Sequence, residues 1–303
     1  MGAALIGVDW GTSNFRAFLL DAAGAILDRR SGAHGILTVK DGDFAAVLSS
    51  EIGAWLETKR VPVLMSGMIG SRQGWLEAPY VTAPAGIAEL AAALAPLPFD
   101  GADLRIVAGI EAATASIRDV MRGEEVQVFG ALQKSGAADG RFLLPGTHSK
   151  WVHVEGGRVT AFSTYMTGEL YAAARDHTIL GRLMREGGQD AAIFARGVRE
   201  GARPGGPGSL LHRLFGVRTA GLFGDIDPAG LSDYLSGLLI GAEIADAGPR
   251  ESRPVVIIAS DTLAARYQVA AAELGLASEI VSPDCAAHGY LAIARLAGLL
   301  PAA

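Results

Sequence analysis

Strand, glycine-marked turn, strand, turn, strand occurs twice in this chain, and that repeat constrains the fold more than any other feature. The first copy runs through Ala3–Trp10, Phe15–Asp21 and Ala25–Arg30, with Gly11-Thr12-Ser13-Asn14 and Ala22-Ala23-Gly24 as its turns. The second runs through Arg141–Leu144, Trp151–Val154 and Arg158–Ser163, with Pro145-Gly146-Thr147-His148-Ser149 and Gly156-Gly157 between them. Short apolar runs separated by such turns read as β-meanders. The halves share pattern and not identity. Turns that expose backbone N–H groups suit phosphate, so two of them, half a chain apart, point to duplicated lobes gripping one polyphosphate.

The rest of the chain alternates helical and strand-like patterns, which predicts an α/β fold. Helical spacing covers 43–59, 86–94, 124–132, 167–177, 231–247, 262–274 and 285–300. Thr167 reads as the cap of its helix. Further strands are expected at 61–65, 104–108, 254–259 and 278–281, and a loop at 199–208, where glycine and proline dominate. The polar stretch 134–140 divides the chain into an N-terminal lobe, 1–136, and a C-terminal lobe, 137–303, whose last helix can pack back on the first lobe.

Composition excludes several classes. A length of 303 residues, half of them apolar, supports two buried cores. A net charge of −6 without a basic block disfavours nucleic acid as a partner. Cys285 is the only cysteine, so no internal disulfide forms, and it reads as a small packing residue. No apolar run reaches the roughly 20 residues of a membrane span. Met1–Val8 is apolar but meets Asp9 at once and lacks a basic start and a cleavage pattern. The expected location is the cytoplasm, and a homodimer is compatible with the sequence.

Asp9 ends a strand and points into the first turn, where a carboxylate can hold Mg²⁺ through water or cap its own turn. Gly11, Thr12, Ser13 and Asn14 offer donors to phosphate, as do Gly146 and Thr147, with His148 as a further donor to phosphate or substrate. Glu124 and Glu125 open a helix; a carboxylate there can take the proton of an acceptor hydroxyl or simply suit the helix dipole. The loop from Ser66 to Trp75, with Gly67, Met68 and Arg72, combines glycines, polar groups and an aromatic as a sugar site would. Ser260 joins a buried strand to a helix, where a nucleotide base or ribose can rest. The absence of a Gly-x-x-x-x-Gly-Lys-Ser/Thr loop excludes a P-loop enzyme.

These segments resemble the actin-like ATPase and sugar-kinase superfamily. Ile6–Asn14 is similar to its first phosphate motif, Pro145-Gly146-Thr147 to the second, Gly123–Gly130 to the Gly-Asp-Gln segment, and 256–275 to the adenosine strand and helix. More closely, Asp9-Trp10-Gly11, Met65–Ser71, Met121–Glu125, Leu144–Trp151, Met166–Leu170 and Ser236–Glu243 resemble the 2-dehydro-3-deoxygalactonokinase family over nearly the whole chain. The resemblance implies two ribonuclease-H-like (actin/hexokinase-type) lobes with an ATP cleft between them. It also implies ATP and Mg²⁺ as cofactors, and phosphorylation of 2-dehydro-3-deoxy-D-galactonate at its 6-hydroxyl in galactonate catabolism. Glu124 stands where the wider superfamily has an aspartate, so Glu124, Glu125 and Asp9 all remain candidates for the base. Arg16, Arg72 and Arg122 are the candidate partners of the substrate carboxylate, with Glu169 and His148 as further substrate contacts. Two other readings share the fold: an exopolyphosphatase-type phosphohydrolase, since Asp9–Arg16 also fits that first motif, and a non-catalytic sugar sensor or filament-forming ATPase.

Overall fold

A computed structural model describes residues 2–113, 117–187, 190–204, 210–248 and 253–300. The chain forms two compact units. The first comprises Met1–Gly140, Val152–Phe162 and Pro283–Ala303; the second comprises Arg141–Trp151 and Ser163–Ser282.

The first unit opens with the expected meander, β1 (Ala3–Trp10), β2 (Phe15–Asp21) and β3 (Ile26–Gly32). Helix α1 (Phe44–Lys59) follows, capped by the Asp43 carboxylate, which accepts the Ala46 N–H at 3.0 Å. Then come β4 (Val63–Ser66), β5 (Tyr80–Thr82), β6 (Ala85–Gly86), α2 (Ile87–Ala92), β7 (Ala95–Leu97), β8 (Leu104–Ile106), β9 (Gly109–Ala113), β10 (Arg118–Met121) and α3 (Glu124–Ser135). The main sheet has the order β3-β2-β1-β4-β8-β7, and β10-β9-β5 form a second, three-stranded sheet. β1 pairs antiparallel with β2 and parallel with β4. A strand covered on both faces reads as a continuous apolar run, and Leu5, Ile6, Val8 and Trp10 of β1 are fully buried. Ile6, Val8 and Trp10 share one core cluster with Leu48, Ile52 and Trp55 of α1.

The second pattern gives β11 (Gly140–Leu144), β12 (Ser149–Glu155) and β13 (Arg158–Tyr165). It continues with α4 (Thr167–His177), α5 (Ala191–Ala202), α6 (Leu210–Leu222), α7 (Leu231–Ala247), β14 (Val255–Ile258), α8 (Asp261–Glu273), β15 (Ser278–Val281) and α9 (Ala286–Leu296). The sheet order β13-β12-β11-β14-β15, with β6 beside β13, repeats the order β3-β2-β1-β4-β8 of the first copy. The repeat seen in the sequence is thus one of topology, and the fold class is α/β as expected.

Three local expectations change. Thr167 is the first residue of α4 and not its cap; Met166 holds that place without a side-chain bond. Residues 199–202, read as loop, continue α5, and the remainder of that reading, from 205 on, lies outside the described residues. The last helix begins only at Ala286, after a 3₁₀ turn at Pro283–Cys285.

Glycines set two close helix contacts. In the first unit, a Cβ on Gly130 of α3 would lie 2.0 Å from the Cys285 carbonyl oxygen, and one on Gly289 of α9 would lie 2.1 Å from that of Val126. In the second unit, α5 and α7 cross on Gly197, Gly201, Gly237 and Gly241; a Cβ on any of them would lie 2.0–2.4 Å from a carbonyl oxygen of the other helix. Backbone packed on backbone leaves no room for even a methyl group.

Candidate active site

In the first unit the site grows from the end of β1. Register places Asp9 opposite Arg16 on β2 and Ser66 on β4. The Asp9 carboxylate accepts from Arg16 Nη2 at 2.5 Å and from Gln127 Nε2 of α3 at 3.4 Å, both on Oδ2. Burial works against the Arg16 charge, but the Asp9 carboxylate outweighs it and raises the guanidinium pKa.

The other oxygen, Oδ1, faces two glycines. A Cβ on Gly67 would lie 3.2 Å from Oδ1 and 2.8 Å from the Trp10 carbonyl oxygen; one on Gly123 would lie 3.0 Å from Gly67 Cα and 3.8 Å from Oδ1. Both glycines have positive φ, 90° and 109°, a conformation that L side chains rarely adopt. The end of β4 and the start of α3 therefore press together beside Asp9, in a niche that side chains would fill.

Gly123 leads directly into α3, whose first turn carries two acids in different settings. Glu125 is fully buried, and both its oxygens lie 2.8 Å from the Gly123 N–H. Burial, then the Glu124 charge, pushes the Glu125 carboxyl up to about 8. Glu124 is partly exposed, and its Oε2 accepts the Arg122 N–H at 3.0 Å.

Asp9 leads into the first phosphate-type turn. Gly11 N–H donates to Asn14 O at 2.9 Å, and the carbonyls of Gly11, Thr12 and Ser13 all accept backbone amides from 35–37. Among the described residues, the amides of Thr12, Ser13 and Asn14 donate to no backbone carbonyl in this loop region. Ser13 and Asn14 are exposed.

The remaining first-unit candidates differ in reach. Ser66 is buried, with Oγ 2.6 Å from the hydroxyl of Tyr290. The Tyr290 ring lies against Gly7, where a Cβ would come within 2.4 Å of it. Burial, reinforced by Asp9, holds the Tyr290 hydroxyl pKa well above the usual tyrosine value. Met68 packs on the core. Trp75 stacks on Phe44 at 6.2 Å and meets Phe99 edge-on at 6.0 Å, so both neighbours are core aromatics. Arg72 is exposed and pairs with Glu77 at 2.8 Å. Arg122 is buried, stacks on Tyr80 at 4.2 Å and donates to Ala78 O at 2.8 Å; its Nε and Nη1 have no hydrogen-bond partner among the described residues. Cys285 is buried beside the Gln127 carbonyl, and burial pushes its thiol up to about 12, as suits an unreactive packing residue.

The second unit holds the other turn. Gly146, Thr147 and His148 are exposed between buried Pro145 and Ser149. The turn rests on the N-terminus of α4: Glu169 N–H donates to Thr147 O at 2.9 Å, and a Cβ on Gly168 would lie 2.2 Å from Gly146 O. His148 Nε2 lies 2.7 Å from Glu169 Oε2. Below, Ser149 Oγ lies 2.9 Å from the Tyr267 hydroxyl, which donates to Glu243 Oε2 at 2.8 Å, while Trp151 Nε1 donates to Oε1 at 2.9 Å. Burial raises the Glu243 pKa against the pull of these donors. Ser260 is the N-cap residue of α8, is exposed and makes no side-chain cap bond.

Sequence reasoning did not single out Gln127, Tyr290 or Glu243. Gln127 lies one helical turn beyond Gly123 and Glu124, a spacing that puts it on their face. Glu243 interrupts the apolar stretch Leu238–Ile244 of α7, which signals a buried polar partner. Tyr290 carries no comparable signal.

A magnesium ion fits this chemistry. Among the described residues no three His, Cys, Asp or Glu side chains are grouped to hold a metal. A carboxylate with one free oxygen suits a cation that takes its other ligands from phosphate and water. Among the described residues, no helix is long and apolar enough to cross a membrane.

The family model of 2-keto-3-deoxy-galactonokinase matches residues 9–293. The 2-dehydro-3-deoxygalactonokinase of Escherichia coli (strain K12) is 34% identical over 288 residues, 94% of this chain and 95% of its own. A Rhizobium meliloti (strain 1021) protein named as a probable 2-dehydro-3-deoxygalactonokinase, DgoK1, is 37% identical over 96% of each chain. The crystal structure of a Sinorhizobium meliloti protein, provisionally named a 2-dehydro-3-deoxygalactonokinase, superposes with a TM-score of 0.87 at 36% identity, covering 96% of this chain and 98% of the other. An activator of 2-hydroxyisocaproyl-CoA dehydratase from Clostridium difficile, solved with ADPNP, shares the fold at a TM-score of 0.51 and 11% identity, covering 97% of this chain and 95% of its own.

Proposed function

The chain belongs to the 2-keto-3-deoxy-galactonokinase family, and on that premise we propose that it phosphorylates 2-dehydro-3-deoxy-D-galactonate at the 6-hydroxyl with ATP. The observation that supports this chemistry most is the niche of Gly67 and Gly123, which sets a carboxylate on β1 beside the acidic first turn of α3.

Phosphoryl transfer depends on positioning and charge stabilisation. The amides of Thr12, Ser13 and Asn14, and those of Gly146 and Thr147, bind phosphate oxygens. Arg16 and Gln127 fix the Asp9 carboxylate through Oδ2, and its other oxygen would hold Mg²⁺. The ion, when bound, neutralises charge on the phosphates. Glu124 orients the sugar hydroxyl and takes its proton as the oxygen bonds to the γ-phosphorus and the bond from that phosphorus to ADP breaks. Glu125 is too deeply buried to meet a hydroxyl; it supports the Gly123 bend. Arg72 is the guanidinium with reach for the substrate carboxylate, since an exposed pair such as Arg72–Glu77 costs little to release. Arg122, closed in by Ala78 and Tyr80, adds positive charge beside Glu125. Ser66, Gly67 and Met68 border the sugar, His148 and Glu169 flank the second turn, and Ser260 meets the nucleoside.

A coupled ADP-release assay across 2-keto-3-deoxy sugar acids tests the proposal. ADP should form one-for-one with phosphorylated sugar acid, fastest with the galactonate derivative. Release of phosphate from polyphosphate or ATP at the same rate without any sugar acid would overturn it.

A further inference from the structure

Between β3 and α1, the segment His34–Leu37 lies against the back of the first turn. Gly35 N–H donates to Ser13 O at 3.1 Å, Ile36 N–H to Gly11 O at 3.0 Å and Leu37 N–H to Thr12 O at 3.3 Å. Every carbonyl from Gly11 to Ser13 is thus held by one short strap. In a trans peptide the C=O and the following N–H point in opposite directions. Anchoring those three carbonyls therefore aims the amides of Thr12, Ser13 and Asn14 away from the strap, all to one side.

The strap is itself fixed at His34 and at Ile36. Trp10 Nε1 donates to His34 O at 2.7 Å, and His34 Nδ1 lies 2.5 Å from Glu51 Oε1 of α1. Ile36 is buried in the core of the first unit. At the centre, a Cβ on Gly35 would lie 2.2 Å from Thr12 O, 2.3 Å from Ser13 C and 2.4 Å from Ser13 Cα. The φ of Gly35 is −65° with ψ 167°, extended backbone open to any residue. Space alone, and not conformation, requires glycine there.

We propose that His34–Leu37 is the positioning element of the first phosphate site, with Gly35 as the residue that lets the strap close on the turn. The proposal rests on the reading that this turn binds the phosphates of ATP. Three donors aimed together form an anion site, and their aim is a property of residues more than twenty positions away in sequence.

The test is Gly35→Ala in the full chain, with KM measured separately for ATP and for 2-dehydro-3-deoxygalactonate, beside a thermal melt. Losing one charge-assisted hydrogen bond predicts a KM for ATP about tenfold higher or more, with KM for the sugar acid within about twofold. A folded variant whose KM for ATP is unchanged, or whose two KM values rise together, overturns the strap and leaves the kinase reading standing. Amide hydrogen exchange on the wild-type chain gives a readout independent of the variant's folding. Saturating ADP·Mg²⁺ should slow exchange at Gly35, Ile36 and Leu37, and unaltered exchange there with bound nucleotide overturns the proposal. A wild-type chain that binds no ADP·Mg²⁺ and turns over no ATP defeats both readings at once.

Discussion

Glu124 and Glu125 are adjacent and chemically alike, yet the first turn of α3 gives them separate settings. Glu125 is buried with both oxygens on the Gly123 N–H, whereas Glu124 keeps partial exposure. Glu124→Gln should therefore lower kcat by roughly 10²–10⁴-fold, the range of a lost general base, while Glu125→Gln should keep kcat within about tenfold; steady-state assays of both variants decide. Glu125 also ties stability to pH. Its folded pKa, about 8, lies above the 4.5 of the free carboxyl. Between those values the folded chain keeps a proton on Glu125 that the unfolded chain releases, so the stability contributed by this group is fully present below 4.5 and is lost as pH rises towards 8. Denaturant titrations should show a loss of a few kcal/mol across that window, and Glu125→Gln should flatten the curve. A wild-type curve that rises across the window would refute the assignment.

At the scale of elements, the α5–α7 crossing is the most demanding contact. Gly237→Ala would set a Cβ 2.2 Å from the Phe194 carbonyl oxygen. Separating the helices enough to admit it should cost about 1–3 kcal/mol or more, read as a lower Tm, with the KM for the sugar acid unchanged in protein that remains folded. The same crossing shows why some elements escaped sequence reasoning. Gly201, with the proline and glycines that follow it, made the end of α5 look like loop, because sequence alone cannot distinguish a glycine that breaks a helix from one that lets another backbone approach. Strands β5, β9 and β10 are three to five residues long, too short for alternation to register. The meanders β1–β3 and β11–β13 were legible because each has long apolar runs and turn residues. Of the site, Asp9, the two turns and the acids of α3 were visible as motifs at element ends. Tyr290, Glu243 and the strap at Gly35 were not, because each acts through a contact distant in sequence.

Over the whole molecule, the same strand order arises twice from halves without evident sequence identity, each with exposed residues in its meander bend and a largely buried first strand, β1 or β11. Family membership over residues 9–293 gives that architecture its chemistry. We propose that the two bends do the same job, donation of backbone N–H groups to phosphate. A crystal structure with ADPNP and Mg²⁺ tests this most directly. It should show phosphate oxygens within hydrogen-bond reach of the Thr12–Asn14 amides and of those at Gly146–Thr147, with the ion's water shell on Asp9 Oδ1. A bound nucleotide whose phosphates touch neither bend would contradict the account.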